Sequence, residues 1–163
     1  MIIAAKSGNE IAAMPANSCM PVSDNPPLIA VSARKGLKTN DVLKKSGRFS
    51  INWIDFTDKN LISLLSQSNN SQDKLKFLNI PYVEILGAPV LIRAQAYAIC
   101  DVTKDEEVGD HDLFIASLIG VMASLDFDEY WKFEDYHPIL YLGSDFRVPF
   151  STIPQKRRIK VRS

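Results

Sequence analysis

The sequence has no excess of charge of either sign: lysine plus arginine and aspartate plus glutamate number 19 each. A field that would draw the chain to nucleic acid or to an anionic membrane is therefore missing. Long apolar runs are missing too. The strongest, LFIASLIGVMASL over residues 113–125, is too short to cross a bilayer as a helix. There are only two cysteines, Cys19 and Cys100, and the opening MIIAAKSGNE has no basic leader and a short apolar run. No secretory signal is read there. The expectation is a reducing compartment, free thiols and the cytoplasm.

Several chemistries lack their motifs. The two histidines, His111 and His137, and the two cysteines are scattered, with no pair at the close spacing of a zinc site. There is no G-x-S-x-G elbow, and a nucleophilic triad needs a positioned base. The triphosphate loop G-x-x-x-x-G-K-[ST] fails on spacing. Leu37 separates Gly36 from Lys38, and Val31 stands where the first glycine belongs. The basic end, with Lys156, Arg157, Arg158, Lys160 and Arg162, carries no interleaved aromatics for base stacking. It reads as a solvated tail, or as an edge strand through its IKV core.

What is present is a chain of 163 residues, 46% apolar and 23% charged, as in a soluble globular protein with one sizeable core. We expect a single domain over residues 1–150, with the basic tail or edge strand over 151–163. Strand signals dominate. MIIAAK and EIAAMPA flank the turn-type cluster Ser7-Gly8-Asn9; PPLIAVSA covers residues 26–33 and RFSINWI residues 48–54. From Ala88 to Thr103 a period of two predicts one half-buried strand, with Ile99 out of phase. KDEEVGDHD then reads as the turn of a hairpin. LFIASLIGVMAS is apolar on both faces, which suits a strand of a closed barrel or a subunit interface, and also a buried helix; the hairpin context favours the strand.

Helices are few and short. Thr39-Asn40-Asp41 is an N-cap cluster before VLKKS, with Gly47 as the stop. Others are expected near residues 57–67 and 71–78. The whole reads as mostly antiparallel β, closed or nearly closed, with short helices between strands.

Three stretches hold candidate chemistry. PANSCMPVSDNPP, residues 15–27, sets four prolines among small polar residues, an irregular connection whose remaining N–H groups can be held ready for a ligand. SARKGLKT, residues 32–39, joins cations, a hydroxyl and a helix N-terminus, all of which favour phosphate. Taken alone it is also a capped surface turn. EEVGDHDLFIAS puts His111 just past a Gly-Asp turn, as a surface residue, a cap or a ligand contact. The acidic, aromatic DFDEYWKFEDYHP reads as a surface loop anchored by its rings, with a lid or dimer contact as the other reading.

In order, MPANSCMPVSDNPPLIAVS (14–32), KTNDVLKKSGRFSIN (38–52), SQDKLKFL (71–78), VGDHDLFIAS (108–117) and HPILYLGSDF (137–146) resemble the flavin reductase-like family. That family's fold is the FMN-binding split barrel, and the likeness covers nearly the whole chain. It implies a mostly β, six-stranded antiparallel Greek-key barrel with a few short helices. It also implies a homodimer with FMN near the subunit interface. By the resemblance, Asn17, Ser18, Cys19 and Met20 run along the isoalloxazine ring, and Ser32, Ala33 and Arg34 follow the ribityl chain and phosphate. Lys38 and Thr39 hold the phosphate, Lys74 is a further contact, and His111 lies at the nicotinamide or flavin face as the candidate catalytic residue. Asn17-Ser18 stands where many members have Ser-Trp, and Ala116 where many have Gly.

The activity implied is NAD(P)H-dependent flavin reduction, with FMN, or FAD as substrate, and NADH or NADPH. The reduced flavin or its electrons go to a partner oxygenase or a ferric acceptor. The same barrel also hosts flavoredoxin-like FMN electron carriers with no nicotinamide site, and haem-handling relatives that lost flavin. The phosphate cluster speaks against the last of these. No metal, nucleic acid or membrane partner is expected.

Overall fold

The computed structural model describes residues 1–17, 19–66, 75, 78–124, 139–141 and 147–149. Strands Ile2–Ser7 (β1) and Glu10–Pro15 (β2) form a hairpin, followed by Cys19–Asp24 (β3), Pro27–Arg34 (β4), helix Lys38–Ser46 (α1) and Arg48–Trp53 (β5). A 3₁₀ turn, Phe56–Asp58, leads into helix Lys59–Ser66 (α2). Then come a short hairpin, Tyr82–Ile85 (β6) with Ala88–Leu91 (β7), and a long one, Ala96–Val108 (β8) with His111–Ala123 (β9). Ile139–Tyr141 (β10) pairs with Arg147–Pro149 (β11).

Seven strands form one antiparallel sheet in the order β2-β1-β5-β8-β9-β4-β3. In a flat sheet, inter-strand steps of about 4.8 Å would hold the two edge strands roughly 29 Å apart. Yet β2 ends at Pro15 and β3 starts at Cys19, a stretch of chain that reaches at most about 14 Å. The sheet must roll until its edges approach. The inner faces then close on one core of Ile3, Met14, Val31, Phe49, Ile51 and Phe114, plugged by Val42 and Leu43 of α1.

The hairpin of β1 and β2 is buried on both faces. Its outer side carries Ile2, Ala4, Ile11 and Ala13 against Leu61, Ile62 and Leu65 of α2 and against Leu75. The short hairpin packs Ala88 and Val90 on Ile99, outside β8. A polar stitch holds it there: Leu91 N–H donates to Asn52 Oδ1 at 2.9 Å, and Asn52 Nδ2 donates to the Ile2 carbonyl at 3.2 Å. Among the described residues no helix is long and apolar enough to cross a membrane.

The antiparallel split-barrel class is as expected, but several elements differ in detail. The main sheet has seven strands rather than six. The proline-rich connection is itself a strand, β3, lying at the sheet edge with a bulge between Pro21 and Ser23. An edge strand and a bulge are where a missing donor is tolerated. The strand expected over residues 88–103 is two strands, broken by the turn at Ile92–Gln95. Ile99 is out of phase because it packs outward beneath the short hairpin. The acidic turn is also smaller than expected, since β8 continues to Val108 and only Gly109-Asp110 turns the chain.

Helix α1 starts one residue before the expected cap. Leu37 is the N-cap and no side chain caps it, whereas Thr39 and Asn40 sit buried in the first turn. Gly47 ends the helix in the left-handed conformation, φ 62°, as its lack of Cβ allows. The helix expected over residues 71–78 lies outside the described residues apart from Leu75 and Leu78, as do the acidic aromatic stretch and the basic tail.

Candidate functional site

The ladders divide the predicted site residues between two faces of one sheet region. Cys19 pairs with Val31 and Met20 with Ala30 across β3–β4. On the other side of β4, Ser32 pairs with Leu113, Ala33 with Asp112 and Arg34 with His111. Side chains alternate along a strand. Met20, Ser32, Arg34 and His111 therefore share the outer face, whereas Cys19, Ala33 and Asp112 point toward the core and α1. From Ala30 to Arg34 the strand runs roughly 13 Å.

Along that run the outer side chains change from a thioether to a hydroxyl to a guanidinium beside an imidazole. β3 begins opposite Val31, so among the described residues β4 has a strand neighbour on one side only from Ser32 to Arg34. Its free edge there offers backbone donors and acceptors. Ala33 is buried and its carbonyl accepts from Asn40 Nδ2, so its backbone is engaged within the protein, whereas Cys19 packs against the core and would meet a ligand through its backbone. Asn17 is exposed in the link between β2 and β3. Ser18 and Lys74 lie outside the described residues.

Cys19 is not built as a nucleophile. Burial pushes its thiol up to about 11, against a smaller opposite pull from the terminal ammonium. Cys100, fully inside, is pushed up by burial to about 12. Both thiols stay protonated near neutrality, and it is the thiolate that reacts.

Every cation of residues 34–48 meets a carboxylate. Arg34 Nε lies 4.0 Å from Asp110 Oδ2, and Lys35 Nζ 2.8 Å from Glu107 Oε2. Lys38 and Lys45 share Glu10, at 3.6 and 3.0 Å. Lys44 Nζ is 3.0 Å from Asp112 Oδ2, and Arg48 grips Asp101 with two nitrogens. The two looser contacts, at Arg34 and Lys38, belong to predicted phosphate contacts. Arg34 is also the most exposed cation of the six, at 66%. Thr39 is buried, so its side chain is not offered at the surface.

The turn before β9 organises His111. Its Nδ1 is 2.7 Å from Asp110 Oδ1, which leaves Nε2 as the ring nitrogen for a ligand. His111 comes first among the groups that hold the Asp110 carboxyl below its usual range, and Arg34 contributes. Lys35 N–H donates to the Asp110 carbonyl at 2.9 Å, tying the turn to the end of β4.

Beneath this face, Asp112 is buried at 1% exposure. Asn40 Nδ2 donates to Asp112 Oδ2 at 2.7 Å and to the Ala33 carbonyl at 3.0 Å. Burial raises the Asp112 pKa, but hydrogen bonds from Lys44 and Asn40 and the charges of Lys44 and Lys35 outweigh it, so the carboxyl is held low. Asn40 and Asp112 thus fasten the start of α1 to β4 and β9. Sequence reasoning passed over Asp110, Asp112, Asn40 and Glu10. The first two flank His111 and were there to be weighed; Glu10 gave no local signal.

A separate cleft of about 480 Å³ lies at the other end of α1, lined by residues that include Lys6, Gly47, Arg48, Gly87 and Asp101. None of the described predicted site residues lines it.

The rolled antiparallel barrel, with its single seven-stranded sheet, is a split barrel. The chain belongs to the flavin reductase-like family: the family model described as the flavin reductase like domain matches residues 1–148. An uncharacterized protein of Aeropyrum pernix is 30% identical over 88% of this chain and 56% of its own length. An NADH-dependent flavin reductase of a Rhodococcus species is 26% identical over 82% of this chain and 68% of its own. The chain thus spans little more than half of the first of these relatives and about two thirds of the second. Among solved structures, the FMN-binding protein of Thermus thermophilus with bound cyclohexenone superposes with a TM-score of 0.79 at 26% identity, covering 91% of this chain and 83% of that one.

Proposed function

We propose that this protein is an NAD(P)H-dependent flavin reductase, built as a single domain over residues 1–150. FMN is the bound flavin, FAD an alternative substrate, and NADH or NADPH the hydride donor. The observation that carries the reading is the outer strip, which passes from Met20 through Ser32 to Arg34 and His111. A flavin mononucleotide presents an apolar ring, a polar chain and a terminal phosphate in that order. Met20 and the backbone of Cys19 suit the ring, Ser32 and the free edge of β4 suit the chain, and Arg34 with Lys38 suits the phosphate. His111, with Nδ1 held by Asp110, keeps Nε2 available for the nicotinamide. The bound flavin supplies the hydride chemistry, and the chain supplies placement and charge.

The relative from Rhodococcus described as an NADH-dependent flavin reductase supports the reaction. A related sequence from Rhodococcus opacus, described as the reductase component of a nitrophenol monooxygenase, supports an oxygenase as recipient of the reduced flavin. A ferric acceptor is the other outlet. A homodimer is part of the reading, since Met20, Val121 and Met122 are each at least 60% exposed, and such side chains favour a partner surface. We place the protein in the cytoplasm.

A second reading is an FMN-binding electron carrier with no nicotinamide site. The Thermus thermophilus neighbour, described simply as FMN-binding, favours it. One assay separates the two. The purified protein is given FMN or FAD, and NADH and NADPH oxidation is followed. Flavin-dependent turnover is expected. Binding of FMN with no turnover on either nucleotide supports the carrier, and failure to quench FMN fluorescence removes both.

A further inference from the structure

Among the described residues, Glu10 is the one carboxylate that contacts two lysines of α1. It opens β2, just past the Gly8-Asn9 turn, and stands over the helix. Lys38 and Lys45 are two helical turns apart and so project from the same face. Their grips are unequal. Lys45 Nζ is hydrogen-bonded to Glu10 Oε2 at 3.0 Å, while Lys38 Nζ sits 3.6 Å from Oε1, beyond hydrogen-bonding distance. Lys45 comes first among the groups that keep the Glu10 carboxyl below its usual range. Glu10 is therefore ionised whenever a ligand arrives.

We propose that Glu10 is the resident counter-ion of Lys38 and sets how tightly the site holds a phosphate monoester. This rests on the flavin reading above. A phosphate monoester carries close to two negative charges near neutrality and three strong acceptors. It outcompetes a single carboxylate held at 3.6 Å, and the long lysine stem lets the ammonium swing across. Glu10 then stays with Lys45, so no carboxylate is stranded. The exchange costs affinity for anions in general and spares neutral ligands. Glu10 is a specificity-determining residue in this scheme, acting through Lys38 rather than on the ligand.

The test compares FMN with riboflavin, which differ by the phosphate. Dissociation constants are measured by flavin fluorescence quenching for wild type, Glu10→Gln, Lys38→Met and the double variant. Glu10→Gln should tighten FMN by roughly threefold and leave riboflavin unchanged, the scale of one partly exposed ion pair. In the Lys38→Met background the same change should do little. Glu10→Ala repeats the measurement if the glutamine alters folding, which thermal melting reports. Wild type that binds neither flavin removes the flavin reading itself. Wild type that binds FMN, with Glu10→Gln no tighter or weaker, overturns the counter-ion role and leaves that reading standing. Equal tightening for both flavins also overturns it.

Discussion

Arg34 and His111 face each other across the β4–β9 ladder, and the carboxylate of Asp110 reaches both. One acidic residue in a two-residue turn thus sets the spacing of a guanidinium and an imidazole that come from strands far apart in sequence. The arrangement makes Asp110 the hub of the outer face, although it contributes no burial.

That hub can be read by titration. His111 is the first cause of the lowered Asp110 pKa. His111→Gln should move the Asp110 carboxyl back up toward the ordinary aspartate range, followed by carbon-detected NMR. A titration curve that does not move would mean the 2.7 Å contact is not made in solution.

Gly109 leads the same turn at φ 59° with open space around its missing Cβ. Gly109→Ala therefore meets no clash but must hold a left-handed conformation, at a cost of about 1–2 kcal/mol. Urea unfolding should show the loss. If the turn relaxes instead, stability will hold while the Asp110 titration shifts, because Asp110 no longer sits against His111.

Asn40 bridges the Ala33 carbonyl and Asp112 from inside the first turn of α1. Asn40→Ala leaves buried acceptors short of a donor and should cost about 1–3 kcal/mol in urea unfolding. A change near zero would mean that water takes over both contacts.

Asp112 gives the stability a pH dependence of definite sign. Its folded pKa lies below the unfolded value, because the Lys44 and Asn40 contacts outweigh burial. Its contribution is complete above the ordinary carboxylate range and is lost as pH falls through the lowered folded value. Asp112→Asn should therefore be less stable than wild type at neutral pH, and the gap should narrow under acid. A gap that is constant with pH would exclude the carboxylate charge as its source.

Phe114 anchors β9 in the barrel beside Asp112, fully buried. Phe114→Ala should cost about 3–5 kcal/mol. Thermal melting checks it, and a shift of a degree or two would mean that the core is looser than its burial implies.

Much of this was legible in the sequence, for physical reasons. β1, β2, β4, β5 and β9 announce themselves as apolar runs between turn residues. β3 did not, because proline reads as irregular backbone when the reader cannot know that the segment will lie on an edge. The split between β7 and β8 was invisible because the turn at Ile92–Gln95 spans an even number of residues. Period-two phase passes through it intact. The basic stretch showed its cations and hid their partners: Glu10, Asp101, Glu107 and Asp112 come from other strands, and Asp110 from the turn between two of them. Local sequence can show a charge, but only the fold shows what neutralises it.

That neutralisation bears on how a ligand arrives. Six cations over residues 34–48 meet five carboxylates, so this stretch projects little net charge into solvent. Beyond the Debye length of about 8 Å, an approaching anion feels almost nothing. Encounter is then governed by diffusion and by the fit of the first collision, without long-range steering. Selection happens at contact, when one anion replaces another at a lysine.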